Sequence, residues 1–408
     1  MGLLFRNDLH DEFGTWPLGY IPYGGADYGE VSAVAAAVGD GDDEAFCDAW
    51  CAAGDRLAAE AAENEAAGRR ASARDGWLRA ACFYGAAYRP IFGAPVNPRL
   101  LAAYRRQIAA FDRGLALGDP PVTPMGIPLG DLTMPAYLLR AEGRADETRP
   151  LLILTNGYDG TVTDMYFASA VAAARRGYHV LVFDGPGQGG LLFEQGVPLR
   201  PDWESVIAAV VDAALELPGI DPRRIALNGW SLGGHLAARA ATGEHRLAAL
   251  ILDPALWSML AGFTPLAEKL GIAVDASTNL AELDAATLSR LNAAIEGNRK
   301  LRWSFVQRGY WVHGVKDLRG YLESAASFTL DGRAGEIRCP TLLAAAGDDT
   351  LSASAQRVMD GLSCPKTLIR FTRAEGAGDH CEMMNRSLLN RRTLDWLDGV
   401  LNISSPHS

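Results

Sequence analysis

The stretch "LNGWSLGGHLAA" (residues 227–238) places Ser231 within the pattern G-x-S-x-G. The apolar run "RRIALNGW" (223–230) predicts a buried strand, and the alanine-rich run after the serine predicts a helix. A sharp turn between them would present the serine hydroxyl above a sheet, with Gly229 and Gly233 relieving the crowding. The start of the helix also brings backbone N–H groups beside a developing oxyanion. The stretch therefore predicts a nucleophilic serine, and the alternative is an ordinary small-residue turn.

Short apolar segments alternate with helix-like segments along the chain after residue 120. Parallel strands that are covered on both faces are continuous apolar runs, so this alternation predicts a mostly parallel sheet with helices on both faces. The segment 122–139 is broken by glycine and proline and predicts a β-hairpin. The other predicted strands are 150–157, 178–185, 223–230, 247–253, 340–347 and 366–371.

Three parts are predicted along the chain. Residues 1–120 are rich in helix formers and carry an amphipathic repeat over 101–115, which predicts an N-terminal helical domain. Residues 121–253 and 339–408 form the predicted α/β core. Residues 254–338 separate two core strands by more than a loop requires, which predicts an inserted helical cap.

A serine nucleophile needs a general base, and His380 is the candidate. It lies in the glycine-rich loop "AEGAGDHCEMM" (374–384), where the chain order serine, acid, histidine puts the base. A surface histidine without a catalytic role is the alternative. The other histidines lie near a terminus, at a strand start, on the helix after the serine, in an exposed segment or in the cap: His10, His407, His179, His235, His245 and His313.

The acid that orients the histidine is expected just after the strand at 340–347. The segment "CPTLLAAAGDDTLS" offers two aspartates, and the spacing from the proline favours Asp349 over Asp348. Its task would be to hold His380 and stabilise the imidazolium. Asp253, at the end of an earlier strand, is an outside alternative whose other role would be to cap a helix.

An oxyanion hole needs two N–H donors. The N–H of Leu232 is one, and the loop "NGYDGT" (156–161) offers the other through Tyr158, with Asp159 second. The tyrosine could instead bind substrate through its hydroxyl.

The aromatic residues of the predicted cap indicate a hydrophobic or aromatic small-molecule substrate. For the aromatic residues of the predicted N-terminal helices, packing onto the next domain is favoured over a ligand wall. The candidate substrate-binding residues are Asp159, Trp230, Trp257, Phe263, Trp303 and Tyr310.

Charge and composition exclude several classes of partner. The net charge of −11 and the pI near 5.2 argue against nucleic acid or an anionic membrane as a partner. No apolar run is long enough to span a bilayer and the first residues lack a signal-peptide core, so we expect a cytoplasmic protein.

Cofactor chemistry is not predicted either. The six cysteines form no C-x-x-C pair and are expected to be small buried residues, so no metal site is indicated. The segment "GPGQGG" (185–190) carries no lysine and is not predicted to open directly into a helix. We therefore expect a turn at the rim of the active site there, and no organic cofactor.

Three stretches carry a resemblance to a known family: "GRRASARDGWLRAACFYGAAYRPIF" (68–92), "FDGPGQG" (183–189) and "GWSLGG" (229–234). Over residues 125–401 the chain resembles the α/β-hydrolase superfamily. Within it, the chain is similar to the branch that includes 2,6-dihydroxypseudooxynicotine hydrolase and a fungal hydrolase that shortens a heptaketide pigment precursor. The resemblance implies an α/β-hydrolase fold, helical domains over the pocket and a homodimer. It also implies hydrolysis of a C–C bond beside a ketone, or of an ester, in aromatic or polyketide-like compounds.

Other functions could use the same residues. A thioesterase, cyclase or acyltransferase of natural-product assembly would keep the serine and replace water with a hydroxyl or an amine. A peptidase is a further alternative, and an inactive hydrolase fold that serves as a binding module is the alternative outside enzymes.

Overall fold

The structure is a computed structural model that describes residues 2–272 and 282–403. His407 and the cap residues 273–281 therefore lie outside the described residues. One sheet of eight strands forms the centre, in the order β1-β2-β4-β3-β5-β6-β7-β8. The strands are β1 (Met125–Leu129), β2 (Leu132–Leu139), β3 (Arg149–Thr155), β4 (His179–Phe183), β5 (Ile220–Trp230), β6 (Ala249–Asp253), β7 (Thr341–Ala346) and β8 (Lys366–Phe371).

The predicted hairpin and the predicted parallel strands are confirmed. Strands β1 and β2 pair in antiparallel fashion, β2 pairs antiparallel to β4, and the remaining pairs are all parallel. Every residue of β4, β6 and β7 is buried, which explains why these strands are apolar runs without alternation. Strand β5 starts three residues earlier than predicted, because Ile220 pairs with Arg149 across a register shift.

In the described part of the chain, six α-helices precede the sheet. They are α1 (Asp8–Gly14), α2 (Trp16–Gly19), α3 (Tyr28–Val38), α4 (Asp43–Ala66), α5 (Arg70–Ala87) and α6 (Pro98–Ala116). Asn97 caps the start of α6 by accepting from the Arg99 N–H, and Tyr104, Phe111 and Leu115 of the predicted apolar face are buried. The amphipathic repeat therefore packs this helix into the interior.

Helices cover the sheet on both faces, which is the fold class that the sequence predicts. Those between β3 and β6 are α7 (Val162–Met165), α8 (Val171–Arg175), α9 (Gly189–Phe193), α10 (Trp203–Leu215) and α11 (Leu232–Ala241). A π-helical turn, Tyr166–Ala170, joins α7 to α8. The prediction that "GPGQGG" does not open into a helix is wrong, because α9 begins at Gly189, inside that segment.

A long excursion, which we call the cap segment (residues 254–338), leaves the sheet after β6 and returns before β7. Its described helices are α12 (Thr264–Lys269), α13 (Ala285–Glu296), α14 (Arg299–Arg302), α15 (Tyr310–His313) and α16 (Leu318–Ala326). A π-helical run, Trp303–Gly309, joins α14 to α15. After the cap segment come α17 (Ala355–Gly361) and α18 (Arg386–Val400).

Candidate active site

Ser231 occupies a tight turn between β5 and α11. Its φ of 60° and ψ of −128° are left-handed values that a non-glycine residue rarely adopts. Its N–H donates to the Asp253 carbonyl at 2.6 Å, which ties the turn to the end of β6. A side chain at Gly229 would begin 1.9 Å from the Gly233 carbonyl oxygen, and one at Gly233 would begin 2.6 Å from the Thr155 carbonyl oxygen. The two flanking glycines are therefore required by close backbone approach.

A chain of two short contacts leads away from the serine hydroxyl. Ser231 Oγ lies 2.9 Å from His380 Nε2, and His380 Nδ1 lies 2.9 Å from Asp349 Oδ2. The structure thus brings together three residues that are far apart in the sequence. This geometry suits proton transfer from the hydroxyl to an oriented imidazole.

The two alternative acids do not contact the histidine. Asp348 pairs with Arg373 at 2.9 Å on the exposed side of the loop. Asp253 is buried and pairs with Arg386 at 3.2 Å. Asp349 is held in place by the Leu351 N–H, which donates to Oδ1 at 3.0 Å.

The electrostatic surroundings of His380 and Asp349 favour the charged forms of both side chains. Burial alone would lower the pKa of His380, but the charge and the hydrogen bond of Asp349 outweigh it and raise that pKa above its ordinary value. Burial would raise the pKa of Asp349, but the imidazole, the Leu351 N–H and Ser352 hold it below its ordinary value. The carboxylate is therefore ionised and supports an imidazolium.

The loop Asn156–Gly160 lies directly against the serine turn. A side chain at Gly157 would begin 2.9 Å from Ser231 Cβ and 3.1 Å from the Leu232 nitrogen. Within residues 2–272 and 282–403, no protein acceptor takes the N–H of Leu232 or of Tyr158. The N–H groups of both predicted oxyanion donors are therefore not taken up by the described residues.

The hydroxyl of Tyr158 is engaged by the cap segment. It lies 2.5 Å from His313 Nε2 and 3.1 Å from the Tyr321 hydroxyl, and His313 Nδ1 lies 2.7 Å from Ser324 Oγ. Burial lowers the pKa of His313 to about 4, so this imidazole is neutral near pH 7. The tyrosine side chain therefore links the loop to the cap segment.

A cavity of about 440 Å³ opens above Ser231. Of the predicted substrate-binding residues, Asp159, Trp230, Phe263 and Trp303 line it. Other lining residues come from helices α1 and α2, from the cap segment and from the loop after β7; among them are Phe13, Trp16, Phe305, Arg308, Tyr321 and Leu351. The predictions did not single out the residues of α1 and α2, because nothing in those short helices shows that they reach the sheet.

Two predicted substrate-binding residues do not line this cavity. The indole N–H of Trp257 donates to Asp331 at 2.8 Å, and its ring packs against Arg357 of α17. Tyr310 lies behind Tyr321, with ring centroids 6.1 Å apart. Aromatic content alone therefore did not tell which cap side chains face the site.

The segment "GPGQGG" does not line the cavity, contrary to our expectation. Gln188 donates through Nε2 to the carbonyls of Asn156 and Gly157, at 2.8 and 3.0 Å. The segment instead supports the Asn156–Gly160 loop from behind.

Metal and membrane features can be stated for the part of the chain that the structure describes. There, no group of three or more His, Cys, Asp or Glu side chains is arranged to hold a metal ion. Likewise, none of the helices in the described ranges has the length and apolar character needed to cross a membrane.

Comparisons with known proteins extend over nearly the whole chain. A family model described as "Alpha/beta hydrolase family" matches residues 152–388. Hydrolase LUC6 of a Fusarium species is 32% identical, over 95% of this chain and 95% of its own. The 20-hydroxy-prefusarin hydrolase FUS2 of Gibberella moniliformis is 31% identical, with the same coverage of both chains.

A similar fold occurs among solved structures. The structure of 2,6-dihydroxy-pseudo-oxynicotine hydrolase superposes with a TM-score of 0.72, over 94% of this chain and 95% of that chain. Sequence identity to it is 21%, so this likeness concerns the fold alone.

Proposed function

This chain belongs to the alpha/beta hydrolase family and is a hydrolase, and on that premise we propose that it acts through a Ser231-His380-Asp349 triad on a substrate carbonyl. The observation that carries the proposal is the pair of 2.9 Å contacts that joins these three side chains below the cavity. A simple turn would not need a serine in a strained conformation whose hydroxyl lies 2.9 Å from an imidazole nitrogen.

In the proposed reaction, Ser231 Oγ attacks the carbonyl carbon while His380 Nε2 takes the hydroxyl proton. The N–H groups of Leu232 and Tyr158 hold the oxyanion, and Asp349 stabilises the imidazolium. The C–C or C–O bond beside the carbonyl then breaks, and the imidazolium gives its proton to the leaving group. Water repeats the sequence on the acyl-serine and releases an acid.

For the substrate we propose an aromatic or polyketide-like small molecule that is cleaved at a C–C bond beside a ketone or at an ester. Two features support this class. The aromatic side chains of Phe13, Trp16 and Trp303 line the cavity. In addition, a relative that matches the chain nearly end to end is named a 20-hydroxy-prefusarin hydrolase.

Hydrolysis of 4-nitrophenyl butyrate by the wild type and by Ser231→Ala tests the proposal. We expect the variant to lose at least about 10³-fold in kcat/KM, because it lacks the nucleophile. Ser205→Ala, at an exposed serine on α10, is the matched control and should keep wild-type activity. Equal activity of Ser231→Ala and wild type would refute the proposal.

Product analysis separates hydrolysis from acyl transfer. With added alcohol or amine acceptors, hydrolysis still yields the free acid as the main product. A dominant ester or amide product would instead indicate a cyclase or an acyltransferase that uses the same three residues.

A further inference from the structure

Arg308 is a cationic side chain in the cavity wall that donates no hydrogen bond to the described residues. It lies on the π-helical run Trp303–Gly309 of the cap segment, and its side chain is 23% exposed. Its Nε is buried without a hydrogen-bond partner. Among the described residues, none accepts a hydrogen bond from any of its nitrogens, and its nearest carboxylate oxygen, Asp159 Oδ2, is 3.6 Å from NH1.

The guanidinium is nevertheless held firmly. Its central carbon lies 4.7 Å from the centroid of the Tyr158 ring and 4.8 Å from that of the Trp303 ring. Stacking on aromatic rings fixes the plane of a guanidinium and leaves its N–H edges free. Those edges belong to a side chain that lines the same cavity as Ser231.

Arg89 provides a comparison within the molecule. It is fully buried, and it donates to Asp164 Oδ2 at 2.7 Å and to the Asp159 carbonyl. Buried donors normally have such partners, because an unmet one costs about 1–3 kcal/mol, and more when it is charged. Among the described residues, Arg308 therefore lacks the acceptors that Arg89 has, and an acceptor group of a ligand could supply them.

We propose that Arg308 binds a planar oxygen anion of the substrate, either a carboxylate or the enolate of a 1,3-dicarbonyl group. A guanidinium presents parallel N–H groups in a fork that matches two coplanar oxygens. This inference rests on the proposed function, since it assigns a substrate class to the same cavity. In C–C cleavage, the electron pair of the broken bond passes into the neighbouring carbonyl as an enolate. Arg308 would then stabilise that leaving group until His380 protonates it.

Isothermal titration calorimetry tests the assignment on the full chain with Ser231→Ala, in which no turnover occurs. The probes are benzoate for the carboxylate and the enolate of 2-acetylcyclohexane-1,3-dione for the 1,3-dicarbonyl, with benzamide as the neutral control. Adding Arg308→Gln should weaken binding of at least one anion about tenfold or more, as expected for a hydrogen bond to a charged group. Benzamide affinity should change less than about threefold, because it carries no charge.

Arg302→Gln is the matched control, because this arginine precedes the same π-helical run and pairs with Glu296 away from the cavity. Arg308→Lys keeps the charge without the fork and should fall between Arg308 and Arg308→Gln. The anion whose affinity falls in Arg308→Gln identifies which group the arginine binds, the carboxylate or the enolate. Failure of both anions to bind, or unchanged affinity in Arg308→Gln, would overturn the assignment. The readout requires no catalysis, so failure of the proposed hydrolase reaction would be seen separately, in the ester assay.

Discussion

At the scale of single residues, the proposed reaction depends on the surroundings of the three side chains Ser231, His380 and Asp349. Asp348 and Asp349 are adjacent in sequence, yet one faces solvent beside Arg373 and the other faces His380. The adjacent carboxylates therefore have different environments, and only one of them supports the imidazolium.

The first prediction concerns pH. A proton on His380 Nε2 removes the base, and the Asp349 carboxylate raises the pKa of this imidazole above its ordinary value. We expect kcat/KM for a neutral ester to fall as the pH drops through a value above about 6.5, the ordinary pKa of histidine. In Asp349→Asn the residual activity should fall at a lower pH than in the wild type, because the carboxylate charge that favours the imidazolium is gone. An acid limb at the same pH in both proteins would contradict this assignment.

The second prediction compares the two neighbouring aspartates. Asp349→Asn should lower kcat/KM about 10³-fold or more, because the amide no longer stabilises the imidazolium. Asp348→Asn should stay within about threefold of wild type, since an exposed ion pair contributes little. Steady-state kinetics on one ester measures both variants, and a larger loss in Asp348→Asn would reverse the assignment.

At the scale of elements, the site is assembled from the junction of β5 with α11 and from a contact between the Asn156–Gly160 loop and the cap segment. The junction was predictable, since G-x-S-x-G follows an apolar run and precedes an alanine-rich one. The contact was not, because the pairing of Tyr158 with His313 joins residues 155 positions apart with no shared pattern.

The close approach of Gly229 to Gly233 predicts that one methyl group added at Gly229 lowers the stability of the fold. Gly229→Ala would place Cβ 1.9 Å from a backbone oxygen, which cannot move without shifting α11. We expect a loss of about 1–3 kcal/mol or more in the free energy of unfolding. Gly399→Ala, on α18 with no atom within 4 Å of the added Cβ, is the control and should stabilise by about 0.4–1 kcal/mol. Urea titration followed by tryptophan fluorescence measures both, and equal stability of the two variants would contradict the crowding.

The link between the loop and the cap segment predicts that removal of the Tyr158 hydroxyl lowers kcat. Tyr158→Phe removes the partner of His313 Nε2 and frees the loop that carries a proposed oxyanion donor. We expect kcat to fall about tenfold, which is less than the loss of about 10²–10³-fold that follows removal of a whole donor.

Tyr310→Phe is the matched control, because its buried hydroxyl has no hydrogen-bond partner among the described residues. It should keep wild-type kcat and should not lose stability. Steady-state kinetics decides, and a Tyr158→Phe enzyme with unchanged kcat would show that the loop keeps its position without the cap contact.

At the scale of the whole molecule, the parallel sheet, the hairpin and the chain order of the candidate residues were predictable, because buried strands and the serine turn have local sequence signatures. The wall of the cavity was not. Phe13 and Trp16 come from the first helices, while Trp257 and Tyr310 turned out to lie elsewhere. Which face of a helix meets the site depends on packing between distant segments, and no local pattern encodes it. The division at residues 120, 253 and 338, the homodimer and the cytoplasmic location stay predictions.

The central claim is that Ser231 is an activated nucleophile, and a fluorophosphonate probe measures this most directly. Intact-mass spectrometry with peptide mapping should find one adduct per chain, on Ser231, with no adduct in Ser231→Ala and normal labelling in Ser205→Ala. Absence of labelling in the folded wild type, or equal labelling of Ser231→Ala, would contradict the account.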